Sequence, residues 1–205
     1  MEQYYSVIKE CSGELIEKKS RFIVYVSTVR TESEATDFLN KIREKHWDAR
    51  HNVYAYVLKN GISKSSDDGE PHGTAGVPIL NVIKNNNLFD TIIVVTRYFG
   101  GILLGTGGLL RAYSQAATLA ISNSQIVTFK FSNIFKLTCK YDQYNKILSV
   151  LENFNAKVDE STFLDDINLK FHVQVEKTED LKSALLKVTA GNLNLELLSS
   201  EFLAY

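Results

Sequence analysis

The chain of 205 residues has room for one large domain or two small ones, and its 44% hydrophobic and 23% charged residues exclude global disorder. A formal net charge of −1 excludes a strong overall attraction to nucleic acid. Its two cysteines, Cys11 and Cys139, stand far apart, which excludes a disulfide framework and a zinc-binding Cys-x-x-Cys pair.

The charge is unevenly distributed along the chain. Residues 1–132 hold 15 basic and 13 acidic residues, whereas residues 133–205 hold 8 and 11. All six arginines lie at or before Arg111, and because arginine suits bidentate phosphate contacts we expect any anion site in this first part. The N-terminal segment does not resemble a signal peptide, and no run of about 18 apolar residues occurs, so we expect a cytoplasmic protein with no membrane span.

Hydrophobic spacing in residues 1–132 changes repeatedly between strand and helix periods. Thr31 and Glu34 match a capping box, in which each side chain bonds the backbone beside the other. The predicted elements are a strand at 19–29, a helix at 31–46 with Ala35, Phe38, Leu39 and Ile42 on its core face, a strand at 51–58, a polar loop at 59–78, a buried strand at 91–99 and a helix at 109–121 with Leu110, Tyr113, Ala117 and Ala120 toward the core.

Residues 133–205 have a regular order of elements. Thr178 is the expected cap of the second helix, and Gly191 its expected end. The predicted elements are a strand at 134–140, a helix at 141–154, strands at 156–163 and 167–175, a helix at 178–191 and a strand at 194–205. This βαββαβ order predicts a ferredoxin-like domain at 133–205, after a first domain at 1–132.

A glycine-rich stretch, TRYFGGILLGTGGLLRAYSQ at residues 96–115, lies between the buried strand and the helix. Glycines let backbone N–H groups approach a ligand, and a helix N-terminus favours negative charge. The stretch lacks the Gly-Lys-Ser/Thr end of a Walker A loop. The alternative is structural, since glycines also permit a tight turn and close packing of helix on sheet. The predicted anion or nucleic-acid site comprises Arg97, Gly100, Gly101, Gly105, Gly107, Gly108 and Arg111.

A polar motif, SSDDGEPHGTAGVP at residues 65–78, places three carboxylates and an imidazole within six residues. Such oxygen ligands suit Mg²⁺ or Ca²⁺, although the spacing is not that of an EF-hand loop. The alternatives are turn chemistry and ion pairs with Arg97 or Arg111. We assign no metal site, cofactor or catalytic residue. The predicted ligand loop comprises His51, Asp67, Asp68, Glu70 and His72.

Four segments resemble the IMPACT family in its bacterial YigZ branch. They are SRFIVYV at 20–26, ARHNVYAY at 49–56, SDDGEPHGTAGVPIL at 66–80 and VVTRYFGGILLGTGGLLRAYSQA at 94–116. The resemblance implies an α+β protein whose first domain has the fold of the second domain of a small-subunit ribosomal protein and of elongation factor G domain IV. It implies a ferredoxin-like C-terminal domain similar to elongation factor G domain V. Eukaryotic relatives regulate translation, whereas the bacterial branch has no settled activity.

Three hypotheses for function follow. The first is a non-enzymatic protein that binds RNA, the ribosome or translation factors, with Arg97, Arg111 and Arg50 on backbone phosphates and Tyr98 or Phe99 stacked on a base. The second is a phosphate- or nucleotide-dependent enzyme that uses the same loop with Asp67, Asp68 or Glu70. The third is a protein-interaction module in which these carboxylates and arginines only brace each other. Fold analogy favours the first and leaves the oligomeric state open.

Overall fold

Five strands in the first part of the chain form one antiparallel sheet. The computed structural model describes residues 3–205, and β1 (Gln3–Val7) precedes this sheet. The strands are β2 (Cys11–Glu17), β3 (Ser20–Thr28), β4 (His51–Val57), β5 (Ser63–Ser66) and β6 (Thr91–Tyr98). Their order is β2-β3-β6-β4-β5, and every neighbouring pair is antiparallel. The apolar strand β6 therefore occupies the centre.

Helices cover both faces of this sheet. They are α1 (Glu32–Lys45), α2 (Gly76–Asn85) and α3 (Gly105–Asn123). Because side chains alternate across a strand, β6 directs Ile92 and Val94 toward α1 and Ile93 and Val95 toward α2 and α3. This two-sided burial explains why the sequence of β6 is a continuous apolar run.

The start of α1 departs slightly from the predicted capping box. The Thr31 side chain accepts a hydrogen bond from the Glu34 N–H at 3.1 Å, as expected. The Glu34 carboxylate accepts from the N–H of Arg30, at 2.7 Å, instead of from that of Thr31. The first bond satisfies a backbone donor that the first turn of a helix leaves free, and the second satisfies the N–H of the residue before the cap. All four predicted core residues of α1 are buried.

Two predictions for the first part are wrong in detail. The polar loop at 59–78 contains β5, and α2 begins before the loop was expected to end. Helix α3 begins at Gly105, four residues before the predicted start at residue 109. Leu110 is 47% exposed, whereas Leu109 and Ala112 are buried with Tyr113, because the helix presents its small side chains to the sheet.

The second part of the chain folds as the βαββαβ order predicts. Its elements are β7 (Ile126–Cys139), α4 (Tyr141–Asn153), β8 (Lys157–Phe163), β9 (Ile167–Gln174), α5 (Thr178–Val188) and β10 (Asn194–Ala204). The strand order β10-β7-β9-β8, with all pairs antiparallel, is that of a ferredoxin-like sheet. The predicted α+β fold class is confirmed. The described chain divides into two compact units, 4–128 and 129–205 with Gln3, whereas the sequence predicted a boundary between residues 132 and 133.

One polar residue of this second unit was wrongly interpreted. Thr178 is the first residue of α5 and is buried, and its hydroxyl accepts from the Asn133 amide at 3.0 Å instead of capping the helix. His172 is buried beside Asp159, 2.8 Å away. Gly191 has a φ of +86° and its N–H bonds the Leu186 carbonyl, as expected at a helix end.

Across residues 3–205, none of the helices is both long enough and apolar enough to cross a membrane.

Candidate anion-binding site at the glycine loop

The first glycine of the loop is required by close packing. After β6 the chain passes over the two-residue turn of Lys18 and Lys19, both with positive φ, which joins β2 to β3. A Cβ at Gly100 would collide with the backbone of Lys19 and Ser20. The Gly100 N–H also donates to the Ser20 hydroxyl at 3.2 Å. Gly100 therefore holds the loop against the sheet, as the structural alternative predicted.

The later glycines of the loop leave the N-terminus of α3 uncovered by side chains. Gly101 and Gly105 have φ values of +83° and +70°, and at both positions, as at Gly107, an added Cβ would meet nothing within 4 Å. At Gly108 a Cβ would lie 3.0 Å from the Cβ of Leu104, so this glycine serves packing. No side chain caps α3 at Leu104, and its first turn carries no acidic residue. The positive end of the helix dipole is thus left for an acceptor from outside.

Arg97 lies beneath the loop and is buried. Its Nη1 donates to Glu70 Oε1 at 2.6 Å, and its Nη2 donates to the Ser20 hydroxyl at 3.4 Å. The guanidinium carbon lies 5.5 Å and 5.6 Å from the ring centroids of Phe22 and Phe99. Arg97 is therefore held by an internal carboxylate and two aromatic rings.

Tyr113 of α3 joins this buried pair. Its hydroxyl donates to the same Glu70 oxygen at 2.8 Å. Burial raises the pKa of the phenol far above its ordinary value, and the neighbouring Glu70 carboxylate raises it further. The phenol consequently stays protonated and acts as a fixed hydrogen-bond donor.

Arg111 lies on the exposed side of α3. Its Nε donates to the Gly107 carbonyl at 3.2 Å. Together with Glu17, Lys18 and Gln115 it lines a small polar cleft of about 240 Å³. This placement leaves the rest of the guanidinium at the surface, nearly two turns into the helix.

Asp67 has a structural role. It accepts hydrogen bonds from the N–H groups of Gly73, Ala75 and Gly76, at 2.8 to 3.1 Å, and so caps α2 from nine residues upstream. Burial alone would raise its pKa, but the three backbone donors, aided by His72, hold the pKa below its ordinary value. His72 is otherwise fully exposed and lies 3.8 Å from this carboxylate.

Asp68 connects the polar loop to β4. Its carboxylate accepts from the Asn52 N–H at 2.7 Å and from Arg43 at 3.1 Å. Its carbonyl lies 2.8 Å from His51 Nδ1, so this ring nitrogen must carry the proton that is donated. Of the three predicted carboxylates, only Glu70 reaches Arg97. In the part of the chain that the structure describes, no three His, Cys, Asp or Glu side chains gather in a way that could hold a metal ion.

The glycine loop and the polar loop face each other across one cleft of about 400 Å³. Glu70 of the polar motif and Arg97, Phe99 and Gly105 of the glycine-rich stretch line it, together with Arg50 and His51 at the start of β4. Phe99 is 52% exposed and Leu103 is 82% exposed at this position. This space, hereafter the cleft, brings part of each predicted set together, whereas Asp67, Asp68, His72 and Arg111 do not line it.

Family models match both units of the chain. Residues 18–121 match the Impact N-terminal domain, and residues 137–192 match a domain of unknown function, DUF1949. The chain belongs to the IMPACT family. Relatives of this IMPACT-family chain include YvyE of Bacillus subtilis, 37% identical over 96% of this chain and 91% of that protein, and YigZ of Escherichia coli, 33% identical over 87% and 89%. A crystal structure titled as that of a hypothetical protein is 30% identical, covers 98% of this chain and all of that one, and has a TM-score of 0.65.

The Impact N-terminal domain gathers its arginines at one end of the sheet. His51 of β4 and Phe22 of β3 both pair with Arg97 of β6, so β3 and β4 begin where β6 ends. Five of the six arginines lie at this loop end: Arg21, Arg43, Arg50, Arg97 and Arg111. Arg21 pairs with Glu14, Arg43 with Asp68 and Arg97 with Glu70, whereas Arg50 and Arg111 form no salt bridge within residues 3–205.

Aromatic residues at the same end divide into fixed and exposed ones. Tyr98 is fixed: its hydroxyl donates to Asp48 at 2.9 Å and lies 3.0 Å from His46 Nδ1. Within residues 3–205, Phe99 and the 84% exposed Trp47 form no hydrogen bond of this kind through their side chains. Phe99 is thus the better placed of the two predicted stacking residues.

Three contributors to the IMPACT-family site were missed from the sequence. Lys18 belongs to the β2–β3 turn, which the sequence did not predict, while Ser20 was counted only as part of a strand and Tyr113 only as core. A buried phenol needs a hydrogen-bond partner, and this requirement was the available signal for Tyr113. No local sequence signal identifies Ser20 or Lys18 as a contributor to this site.

Proposed function

We propose that this IMPACT-family protein is a non-enzymatic RNA-binding protein that acts on the ribosome in the regulation of translation. The open N-terminus of α3, with the exposed Arg50 beside Gly105 in the cleft and the exposed Arg111 further along the same helix, supports the proposal most directly. Backbone N–H groups there suit a phosphate oxygen, and guanidinium groups suit phosphate in bidentate geometry. The link to translation rests on family membership alone.

Arg97 takes a different role from the one predicted from sequence. Because Glu70 and Tyr113 hold it beneath the loop, it positions the loop and does not contact backbone phosphate. The proposed phosphate-binding surface consists of Gly105, Gly107, Arg50, Arg111 and Lys18. With few cations involved, the site is a local patch, in keeping with the net charge of −1.

The test is co-sedimentation of the purified protein with ribosomes over a salt series, together with titration of labelled single-stranded RNA. For single strands the logarithm of affinity falls with the logarithm of salt concentration with a slope of about −0.7 per phosphate neutralised. We expect Arg111→Ala and Arg50→Ala each to weaken binding and to reduce the slope by about 0.7. Arg30→Ala is the matched control, since this exposed arginine follows β3 at the opposite end of the sheet. Binding that is absent at low salt, or equally weakened by all three variants, contradicts the proposal.

The buried Arg97–Glu70 pair favours a second candidate, the protein-interaction module. In that case the two motifs brace each other and the module binds a protein partner. The same experiment separates the candidates, because a purely structural loop gives no salt-dependent RNA binding at any ionic strength.

A further inference from the structure

The floor of the cleft contains an acceptor oxygen that the fold does not use. The Glu70 side chain is only 3% exposed, and its hydrogen bonds from Arg97 and Tyr113 both end on Oε1. Within residues 3–205, Oε2 accepts no hydrogen bond, although the side chain lines the cleft. An acceptor oxygen at the cleft that no group of the fold engages marks a place for a donor from a ligand.

Arg97 fixes this carboxylate but presents no donor to the cleft. Its Nη1 and Nη2 are engaged by Glu70 and Ser20, and its Nε is buried, without a hydrogen-bond partner among residues 3–205. The cleft therefore offers one free acceptor, on a side chain that Arg97 and Tyr113 hold in place.

The walls of the cleft suit a flat, partly apolar group. Phe99 supplies an exposed ring on one side, and Leu104 and Leu109 supply aliphatic surface. His51 uses Nδ1 on the Asp68 carbonyl, which leaves Nε2 without a described partner. The volume of about 400 Å³ lies within the usual range of small-ligand pockets, about 300–1,000 Å³.

We propose that the cleft takes one unstacked nucleobase of a bound single-stranded RNA. A base N–H donates to Glu70 Oε2 and the base plane stacks on Phe99, while the adjoining phosphate lies at the N-terminus of α3. All four bases carry an N–H donor on the Watson–Crick edge, and stacking on an aromatic ring tolerates any of them. The inference rests on the proposed RNA-binding function and adds the recognition of a base to that of phosphate.

The test uses wild-type protein and two RNAs of equal charge. Fluorescence anisotropy compares a labelled uridine octamer with an octamer of N3-methyluridine, in which a methyl group replaces the base N–H. We expect the methylated RNA to bind about tenfold more weakly or worse, with the same dependence on salt, because only the base contact is lost.

Two variants locate the effect. Glu70→Gln is expected to reduce the preference for the unmethylated octamer, whereas Tyr113→Phe, which alters only the Oε1 side of Glu70, is expected to retain it. Equal, salt-dependent binding of both octamers overturns the base pocket and leaves the RNA-binding proposal intact. Binding of neither octamer overturns both.

Discussion

The Arg97 guanidinium contacts the Glu70 carboxylate across 2.6 Å, with the two side chains only 7% and 3% exposed. The residues are 27 positions apart, and they join the end of β6 to the polar loop before α2. Removing one partner leaves the other as an unpaired buried charge, which typically costs about 3–5 kcal/mol. The pair therefore holds the polar loop against the end of β6 at the floor of the cleft.

We predict that Arg97→Ala lowers the free energy of unfolding by about 3–5 kcal/mol in urea denaturation. The double variant Arg97→Met/Glu70→Leu is expected to be more stable than Arg97→Ala, since it buries no unpaired charge. The exposed pair of Arg21 and Glu14 provides the control, and Arg21→Ala is expected to change stability little. If Arg97→Ala unfolds no more easily than Arg21→Ala, the buried pair does not hold the cleft.

The glycines of the loop are predicted to differ in how much an alanine substitution lowers the stability of the protein. Gly100→Ala forces a Cβ into the backbone of Lys19 and Ser20, and we expect a loss of about 1–3 kcal/mol or more. Gly107→Ala adds a Cβ in open space within the first turn of α3, so stability is expected to stay level or rise by up to about 1 kcal/mol.

Thermal unfolding and RNA titration of both variants check this contrast. Under the proposed function, the folded Gly107→Ala variant binds RNA more weakly because the methyl group covers the approach to the helix N-terminus. Equal stability of the two variants would show that the loop does not rest on the β2–β3 turn.

Helix α2 is predicted to depend on Asp67. Asp67→Ala removes the acceptor for the N–H groups of Gly73, Ala75 and Gly76, and we expect a loss of about 1–2 kcal/mol, as for other helix caps. Hydrogen exchange at these three amides should accelerate, while exchange in α1 stays unchanged. Because folding lowers the pKa of Asp67, its contribution is present above the ordinary value of 3.8 and is lost as pH falls through the folded value. Unchanged exchange at the three amides would show that α2 does not need this cap.

Periodicity accounts for most of what the sequence predicted correctly. The alternation and apolar runs of β3, β4 and β6 follow from burial on one or both sheet faces, and the second unit repeats the same local rules. Helix α2 escaped prediction because its cap, Asp67, lies nine residues upstream and Ala75 at its start carries no cap of its own. Its start therefore lacks the local signal on which sequence prediction depends.

The candidate site was predictable in its residue types but not in its pairings. Sequence named Arg97, Arg111, Glu70 and the glycines, yet it allowed any carboxylate to meet either arginine. The register of β4 on β6 settles this, because it places His51 opposite Arg97 and brings Glu70 beneath α3 while Asp68 turns toward Arg43. Such long-range geometry has no counterpart in local spacing.

The stability of the domain is predicted to fall below about pH 6.5 through His46, which lies between Tyr25 and Tyr98 at the end of α1. Since the Tyr98 hydroxyl donates to Asp48, His46 Nδ1 donates to Tyr98, and Nε2 accepts from Tyr25 as a neutral imidazole.

Burial, with the nearby Lys45, lowers the pKa of His46 below its ordinary 6.5. The unfolded chain then binds more protons than the folded one, so His46 favours folding above pH 6.5 and this contribution is lost as pH falls toward the folded pKa. The free energy of unfolding is expected to drop by up to about 1.4 kcal/mol per pH unit in that window. Urea denaturation of wild type and His46→Gln between pH 7 and pH 5 checks this: His46→Gln should flatten the profile. A profile that is as steep in His46→Gln as in wild type would assign the pH dependence to another group.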